Sequence, residues 1–241
     1  MPAGKPKYRR VVLKISGEGF CPSGQSGIDQ QQLQSIARQI ADVVNLGVQT
    51  AVVVGGGNFI RGATIAQQAQ LQPATAHYMG MLATVLNGLA LQDTLEAMDI
   101  ATRLQSAINI SAVCEPFIRR RCIRHLEKER TVILSAGTGN PFVTTDTCAA
   151  LRATEIGADA LLKATKVDGV FDKDPVAHPD AKRFDRLSYD DVIDRRLKVM
   201  DVSAIDLCQQ HGVPIVVFNL AEPGNMKRVV MGEQVGTLVN D

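Results

Sequence analysis

Two kinds of apolar pattern alternate along the chain. Leu33, Ile36, Ile40 and Val43 lie at helical spacing, with Asp29 placed to cap the start of that helix and Gly47 to stop it. Short apolar runs rich in β-branched residues predict strands at Arg10–Ile15, Thr50–Val54, Ala101–Leu104, Thr131–Leu134, Ala160–Lys163, Pro214–Phe218 and Gly236–Val239. The alternation predicts an α/β fold, a three-layer αβα sandwich whose central sheet is largely parallel.

Two longer segments depart from this alternation. Residues Ala74–Met98 are apolar almost throughout and predict one long helix or a broken pair. Within this segment, the stretch Met79–Leu95 is too uniformly hydrophobic to face solvent. We therefore expect this stretch to contribute to a subunit interface. Segment Thr165–Asp190 is rich in Asp, Lys and Pro. It predicts a ligand-holding turn followed by a more mobile stretch.

Composition narrows the class of protein. A chain of 241 residues with 45% hydrophobic and 21% charged residues can fold as one large α/β domain or two small lobes. The net charge of +1 gives no reason to expect nucleic-acid binding. Five cysteines without C-x-x-C spacing argue against disulfides and zinc and fit a reducing cytoplasm. No signal-peptide or membrane-spanning pattern is present, so a cytoplasmic protein without a membrane contact is expected.

Three glycine turns follow predicted strands. Ser16-Gly17 comes directly after the run that contains Lys14, and Gly55-Gly56-Gly57-Asn58 follows the second strand. The third turn begins Ser135-Ala-Gly-Thr-Gly-Asn-Pro and continues to Asp146. Such turns bring backbone N–H groups close to phosphates, and three of them at strand ends predict a nucleotide crevice.

The common nucleotide signatures G-x-x-x-x-G-K-[ST] and G-x-G-x-x-G are absent, which disfavours a P-loop kinase and a dehydrogenase. Phosphoryl transfer needs cations, backbone donors and a carboxylate for Mg²⁺. Lys14, Arg61, the glycine turns and Asp146 form such a set. Asp146 can equally cap the next helix, and Asp201 can be a buried cap or a second carboxylate beside the metal; the sequence leaves both open.

Several blocks together resemble the bacterial UMP kinases of the amino acid kinase superfamily, over almost the whole chain. The blocks are Leu13-Lys-Ile-Ser-Gly-Glu18, Gly55-Gly-Gly-Asn58 with Arg61-Gly62, Met79-Gly-Met-Leu-Ala-Thr84, Ile133-Leu-Ser-Ala-Gly-Thr-Gly-Asn-Pro141, Leu162-Lys-Ala-Thr-Lys-Val-Asp-Gly-Val-Phe171, Leu197-Lys-Val-Met-Asp201 and Arg228-Val-Val-Met-Gly-Glu233. The resemblance implies one amino acid kinase domain over residues 1–241, with the N-terminal part on the UMP side and the C-terminal part on the ATP side. It implies transfer of the ATP γ-phosphate to UMP with Mg²⁺, in pyrimidine nucleotide synthesis.

The resemblance also implies roles for individual residues. ATP-binding positions would be Lys14, Ser16, Gly17, Gly57, Arg61, Thr165, Phe171 and Asp174. UMP-binding positions would be Gly56, His77, Thr138, Gly139, Asn140, Pro141, Phe142, Val143, Thr144 and Thr145. The chemistry of the residues themselves, rather than the resemblance, predicts the catalytic set Lys14, Arg61, Asp146 and Asp201, with Asp146 as the candidate metal ligand.

Regulation and assembly follow from the same resemblance. It implies a homohexamer that GTP activates and UTP inhibits, with a GTP-responsive segment formed by Pro22, Ser23, Gly24, Gln25, Ser26 and Gly27. One position departs from the pattern: His77 stands where the family normally has an aspartate that accepts bonds from the UMP ribose. A neutral imidazole has one acceptor nitrogen, so weaker UMP binding is expected.

Two other functions compete with this interpretation. One is a superfamily member that phosphorylates a carboxylate or carbamate, which the Thr138-Gly-Asn-Pro141 turn with its paired threonines disfavours. The other is a UMP sensor without catalysis, which would be preferred if Lys14 or Arg61 were missing.

Overall fold

The computed structural model describes residues 5–60, 71–197 and 199–241, and within them one nine-stranded sheet forms the centre of the molecule. The strand order is β4-β3-β5-β2-β1-β6-β8-β9-β7, parallel at each pairing except β8 with β9. The strands are β1 Arg10–Ile15, β2 Gln49–Val54, β3 Thr102–Ser106, β4 Glu115–Pro116, β5 Thr131–Ser135, β6 Ala160–Thr165, β7 Arg186–Leu187, β8 Ile215–Asn219 and β9 Thr237–Val239. All seven predicted strands are present.

Helices cover both faces of the sheet. Outside residues 1–4, 61–70 and 198, the α-helices are α1 Gln30–Val44, α2 Pro73–Glu96, α3 Arg119–Glu127, α4 Thr145–Ile156, α5 Tyr189–Asp194, α6 Val202–Gln210 and α7 Asn225–Val230. A 3-10 turn, Gly17–Phe20, follows β1. None of the helices in the described part of the chain has the length and apolar content needed to cross a membrane.

The two faces of the sheet carry separate cores. Alternate side chains of a strand point to opposite faces, and accordingly Leu13 and Ile15 pack with α1, α2 and α7. Val12 belongs to the other core, together with α3, α4, α5 and α6. The predicted three-layer αβα sandwich is therefore confirmed.

Helix α1 begins and ends close to the predicted signals. The Asp29 carboxylate accepts a hydrogen bond from the Gln32 N–H at 2.9 Å, as an N-cap does. The helix ends at Val44, and Gly47, with a φ of +81°, turns the chain toward β2.

Helix α2 is continuous over Pro73–Glu96, which settles the choice between one helix and a broken pair. One face is buried in the fold and carries the polar residues Thr84 and Asn87 as well as Leu91 and Leu95. The opposite side exposes large apolar residues at a spacing of four: Tyr78, Leu82 and Leu86.

Segment Thr165–Asp190 has little regular structure, as its composition predicts. Phe171 forms an isolated bridge with Arg183, and the short strand β7 follows.

Candidate active site

Two lysines lie side by side near the carboxyl ends of the central strands. Lys14 of β1 and Lys163 of β6 are partners in the parallel register, so their side chains leave the same face of the sheet. This is the face covered by α4, because the residues two positions earlier, Val12 and Leu161, belong to the core on that side. Two cations are thereby placed in a largely buried site, at the edge of the sheet where α/β proteins bind ligands.

Asp146 lies between the two ammonium groups. Its Oδ1 is 2.8 Å from the Lys14 Nζ, and its Oδ2 is 2.7 Å from the Lys163 Nζ. Lys163 also donates to the Val199 carbonyl. Asp146 belongs to the first turn of α4, whose N-cap Thr144 accepts from the Thr147 N–H at 3.2 Å. The helix start therefore aims this carboxylate at both lysines.

Burial and charge act in opposite directions on this cluster. Burial raises the pKa of Asp146, but the Lys14 and Lys163 ammonium groups outweigh it and hold the pKa below its usual value. Burial and the charge of Lys14 lower the pKa of Lys163, against the opposing effect of Asp146. With both lysines protonated, the three groups carry one net positive charge toward any phosphate bound at this edge.

Asp201 occupies the N-cap position of α6, but its side chain makes no capping hydrogen bond. It accepts instead from the Thr144 hydroxyl, and the Thr147 hydroxyl lies 3.5 Å from the same Oδ2. The interpretation of Asp201 as a cap is therefore not supported. The residue joins the start of α6 to the start of α4, beside the Lys163–Asp146 pair.

The first two glycine turns are packed backbone against backbone. A Cβ added to Gly17 would lie 2.2 Å from the Gly57 nitrogen, and one added to Gly55 would lie 2.6 Å from the Gly17 nitrogen. A Cβ on Gly56 would lie 2.6 Å from the Gly80 carbonyl oxygen of α2. No side chain fits at these three positions, so the turns need glycine for close approach.

A buried pair of asparagines fixes the second turn. Asn58 donates to the Asn87 Oδ1 at 2.9 Å, and Asn87 donates in return to the Asn58 Oδ1 at 2.7 Å. Asn87 also bonds the Gly55 carbonyl at 2.7 Å, and Asn58 bonds the Gly27 carbonyl at 2.8 Å. The pair thus joins α2, the Gly55–Asn58 turn and the end of the Pro22–Gly27 segment.

The third glycine turn has several residues in the left-handed region. Ala136, Gly137, Gly139 and Phe142 have φ values of 60°, 57°, 81° and 67°. The Ala136 N–H is held by the Thr84 hydroxyl at 2.6 Å. On the other side, the buried Arg152 donates to the Gly137 carbonyl at 3.3 Å and stacks over the Phe117 ring at 3.7 Å. Neighbouring elements therefore hold the backbone of this turn in an unusual shape.

His77 lies beside the third turn. Its ring centroid is 4.9 Å from that of Phe142, and the two rings are tilted by 58°. Phe142 is 68% exposed although it is a large apolar residue. The fold thus brings together His77 and Phe142 of this turn, which are 65 residues apart along the chain.

A cavity of about 750 Å³ opens beside the lysines. Residues near the carboxyl ends of β1 and β6 line this cavity: Lys14, Ser16, Lys163, Thr165 and Lys166. Pro22 and Ser23 form part of its wall, and the Lys166 ammonium lies 3.1 Å from the Ser23 hydroxyl. Phe171 and Asp174 are not among its lining residues, and the Asp174 carboxylate accepts from the Val176 N–H at 2.9 Å. Arg61 lies outside the described residues.

Four polar residues at this site escaped the sequence interpretation. They are Thr84, Asn87, Arg152 and Lys163. Lys163 had a detectable signal, since a lysine inside a buried strand repeats the pattern of Lys14. The others lie within helices, where one polar residue among apolar ones does not reveal its partner.

A bound Mg²⁺ would take oxygen ligands from the carboxylates of this site or from phosphates. Within residues 5–60, 71–197 and 199–241, no group of three or more His, Cys, Asp or Glu side chains could hold a metal ion. Both oxygens of Asp146 already face ammonium groups, which fits a residue that orients the lysines better than it fits a direct metal ligand. Mg²⁺ usually needs only one or two protein carboxylates when phosphates supply the other ligands.

Known proteins share the sequence and the fold of this chain. The chain is 54% identical to the chloroplastic uridylate kinase PUMPKIN of Arabidopsis thaliana over 97% of this chain and 69% of the relative. The UMP kinase structure from Bacillus anthracis is 39% identical, with a TM-score of 0.94 over 97% of this chain and 96% of that one.

Two further solved structures are similar. The UMP kinase from Ureaplasma parvum is 34% identical, with a TM-score of 0.91 over 97% of this chain and 99% of that one. The uridylate kinase from Archaeoglobus fulgidus is 28% identical, with a TM-score of 0.74 over 95% and 99%. Residues 9–219 match the amino acid kinase family. The chain, with its parallel sheet and its paired lysines at the strand ends, belongs to the amino acid kinase family.

Proposed function

We propose that the chain is a UMP kinase, which transfers the γ-phosphoryl group of ATP to UMP and gives UDP and ADP. The observation that carries this proposal is the Lys14–Asp146–Lys163 cluster. It lies at the strand ends from which the glycine turns emerge. Four UMP or uridylate kinases share the fold or sequence over nearly the whole chain, which supports UMP as the acceptor.

The donor nucleotide would enter the cavity beside the lysines. Ser16 and Thr165 line this cavity, and Gly17, which follows Ser16, is packed against Gly57. In our proposal these residues, with Lys14 and Arg61, hold the ATP phosphates. Phe171 and Asp174 would contact the ATP nucleoside once that segment meets the ligand.

The acceptor would lie against the third glycine turn. Thr138–Thr145 would hold the UMP phosphate through backbone N–H groups and hydroxyls, with Gly56 and His77 on the same side. The left-handed residues in this turn support the assignment, because strained backbone persists mainly where neighbours enforce it for a purpose.

The transfer itself needs little covalent chemistry from the protein. A UMP phosphate oxygen would attack the γ-phosphorus while the bond from that phosphorus to the β–γ bridging oxygen breaks, and ADP leaves with the electron pair. The attacking oxygen is already largely deprotonated at neutral pH, since the second phosphate pKa is about 6. Lys14 and Lys163 would stabilise the charge on the transferred group, and Asp146 would hold both ammonium groups in place.

Mg²⁺ would arrive with ATP, bound mainly by phosphate oxygens. When bound, it neutralises phosphate charge during the transfer. Asp201 is the candidate residue beside this position, because its carboxylate is held by hydroxyl groups and carries no lysine ion pair in the described structure.

An ATP-dependent phosphorylation assay tests the proposal. UMP, CMP, aspartate, glutamate and carbamate are offered in parallel, and UMP is expected to be phosphorylated fastest. Phosphorylation of a carboxylate or carbamate would instead assign the chain to another branch of the family. UMP binding without any transfer would identify a sensor.

We propose further that the chain is a single domain of the bacterial type, acts in the cytoplasm and assembles as a homohexamer. GTP as activator and UTP as inhibitor belong to the same proposal, with Pro22–Gly27 as the GTP-responsive segment. The bond from Asn58 to the Gly27 carbonyl supports a link between that segment and the donor side of the site. Adding GTP or UTP to the UMP assay tests both effects.

The exposed side of α2 is expected to hold subunits together. Leu82 and Leu86 are each 50% exposed, so replacing both by glutamate would bury charge in any interface formed there. Sedimentation velocity at micromolar concentration should show an oligomer for the wild type and mainly monomer for the double variant. Ile118→Glu, at an exposed apolar residue outside α2, should keep the oligomer. A monomeric wild type would contradict the prediction.

His77 is expected to weaken UMP binding relative to a carboxylate. Neutral imidazole accepts one hydrogen bond and the protonated ring accepts none, whereas aspartate can accept from both ribose hydroxyls. His77→Asp should lower KM for UMP about tenfold, since bonds to charged groups contribute about 1.5–3 kcal/mol.

His211→Asp provides the control for the His77 substitution. His211 is exposed at the end of α6, so this variant should keep the wild-type KM for UMP. Equal KM values for the wild type and His77→Asp would mean that position 77 does not hold the ribose.

A further inference from the structure

Helix α2 contacts two glycine turns through polar side chains that have no proposed contact with substrate. Thr84 is 3% exposed and Asn87 is 0% exposed. The two residues are three positions apart and therefore lie on the same side of the helix. Thr84 is the last residue of the Met79–Thr84 sequence block, to which the proposed reaction assigns no role in substrate binding or catalysis.

Thr84 holds Ala136, the first residue after β5, where the chain enters the acceptor turn Thr138–Thr145. Its hydroxyl donates to the Met81 carbonyl at 2.6 Å, which leaves a lone pair for the Ala136 N–H, also at 2.6 Å. Ala136 has a φ of 60°, and a left-handed conformation costs a non-glycine residue roughly 1–2 kcal/mol. The Thr84 bond therefore helps to keep this residue in a conformation that it would otherwise leave.

Asn87 holds the Gly55–Asn58 turn, which carries Gly57 of the proposed ATP site and Gly56 of the proposed UMP site. Its amide donates to the Gly55 carbonyl and exchanges hydrogen bonds with Asn58, so both ends of the Gly55–Asn58 turn are attached to α2. The helix backbone is in contact too, because a Cβ on Gly56 would meet the Gly80 carbonyl oxygen.

We propose that Thr84 and Asn87 are positioning residues that set the distance between the acceptor turn Thr138–Thr145 and the Gly55–Asn58 turn, which reaches the donor side through Gly57. A helix is a stiff spacer, and three residues span about 4.5 Å along its axis. A phosphoryl group passes in line from donor to acceptor, and a misplacement of about 1 Å can cost on the order of 100-fold in rate. The inference rests on the proposed function only for the identity of the two nucleotides.

Replacing Thr84 by valine tests the acceptor side, since valine keeps the shape and removes the hydroxyl. We expect KM for UMP to rise about fivefold to tenfold, the loss of one hydrogen bond, with KM for ATP within about twofold. Thr84→Ser should restore the wild-type value. Thr94→Val is the matched control, because the Thr94 hydroxyl donates to the Ala90 carbonyl within the same helix, at 2.8 Å.

Asn87→Ser tests the donor side. It should lower kcat about tenfold or more and change KM for UMP less than Thr84→Val does. If this variant does not fold, the isosteric Thr84→Val variant decides the outcome alone.

Hydrogen exchange of the free protein gives a readout that does not depend on the reaction. The amides of residues 136–144 should exchange faster in Thr84→Val than in the wild type, and Thr94→Val should match the wild type. Equal exchange and equal KM values in the Thr84→Val and Thr94→Val variants would overturn the inference. A wild type that does not phosphorylate UMP would overturn the proposed function, and the exchange comparison would still decide the role of Thr84.

Discussion

Replacing Lys163 by methionine is expected to lower kcat for UMP phosphorylation at least about 100-fold and to change KM for UMP only a few-fold. Lys163 is 2.7 Å from Asp146 and is the register partner of Lys14, so its ammonium is fixed before substrate arrives. A preorganised charge aimed at the transition state typically contributes on the order of 100- to 1,000-fold in rate. Methionine keeps the length of the side chain and removes the charge.

Steady-state kinetics at saturating ATP measures this effect. Lys14→Met should show a loss of similar size, and the double variant should lose less than the product of the two effects because the lysines act on one group. Lys128→Met, which removes an exposed lysine at the end of α3, should keep wild-type kinetics. A Lys163→Met variant with wild-type kcat would remove this residue from the mechanism.

Asp146→Asn is expected to lower kcat by a comparable factor for a different reason. The neutral amide leaves two ammonium groups without their shared counter-charge. Its oxygen can accept a hydrogen bond from one lysine, but its NH₂ group cannot accept from the other, so one of the two hydrogen bonds is lost. Because Asp146 raises the pKa of Lys163 against burial, its removal should lower that pKa further. As the pH is raised, Lys163 should therefore lose its proton, and the variant its activity, at a lower pH than in the wild type.

The pH profile of kcat distinguishes this role from direct metal binding. An orienting role predicts an alkaline limb that moves to lower pH in Asp146→Asn and that extra Mg²⁺ does not correct. Rescue of kcat by high Mg²⁺, with an unmoved alkaline limb, would restore Asp146 as a metal ligand. Asp159→Asn serves as control, since Asp159 bonds the backbone N–H groups of Arg9 and Arg10 away from the lysines.

The same cluster sets an acid limit on stability. The folded-state pKa of Asp146 lies below the ordinary 3.8, so its ion pairs stabilise the fold above that pH. This contribution is lost as the pH falls through the folded-state value, where the carboxylate takes up a proton.

Local patterns determined the elements of the fold. The β-branched runs predict the strands, and Asp29 and Gly47 mark the ends of α1, because strand and helix periodicities depend on neighbouring residues. The strand–helix alternation predicts a parallel sheet because parallel strands need crossovers. The glycine turns at strand ends likewise predict the nucleotide crevice.

Side-chain partners were decided by the tertiary structure. The sequence presents Asp146 as a cap or a metal ligand, and only the packing of α4 against β1 and β6 places it between two lysines. The sequence likewise leaves open whether Asp201 is a cap. In the structure α6 packs against α4, and the Asp201 carboxylate accepts a hydrogen bond from the Thr144 hydroxyl.

The sequence by itself determined the fold class, the position of the three glycine turns and the position of Lys14 near the end of β1, since each is a local pattern with a physical cause. The tertiary structure alone decided the roles that depend on long-range partners. Lys163 pairs with a residue 17 positions away, and Thr84 with one 52 positions away. Such contacts depend on strand order and helix packing, which bring distant residues together without leaving a periodic trace in the chain.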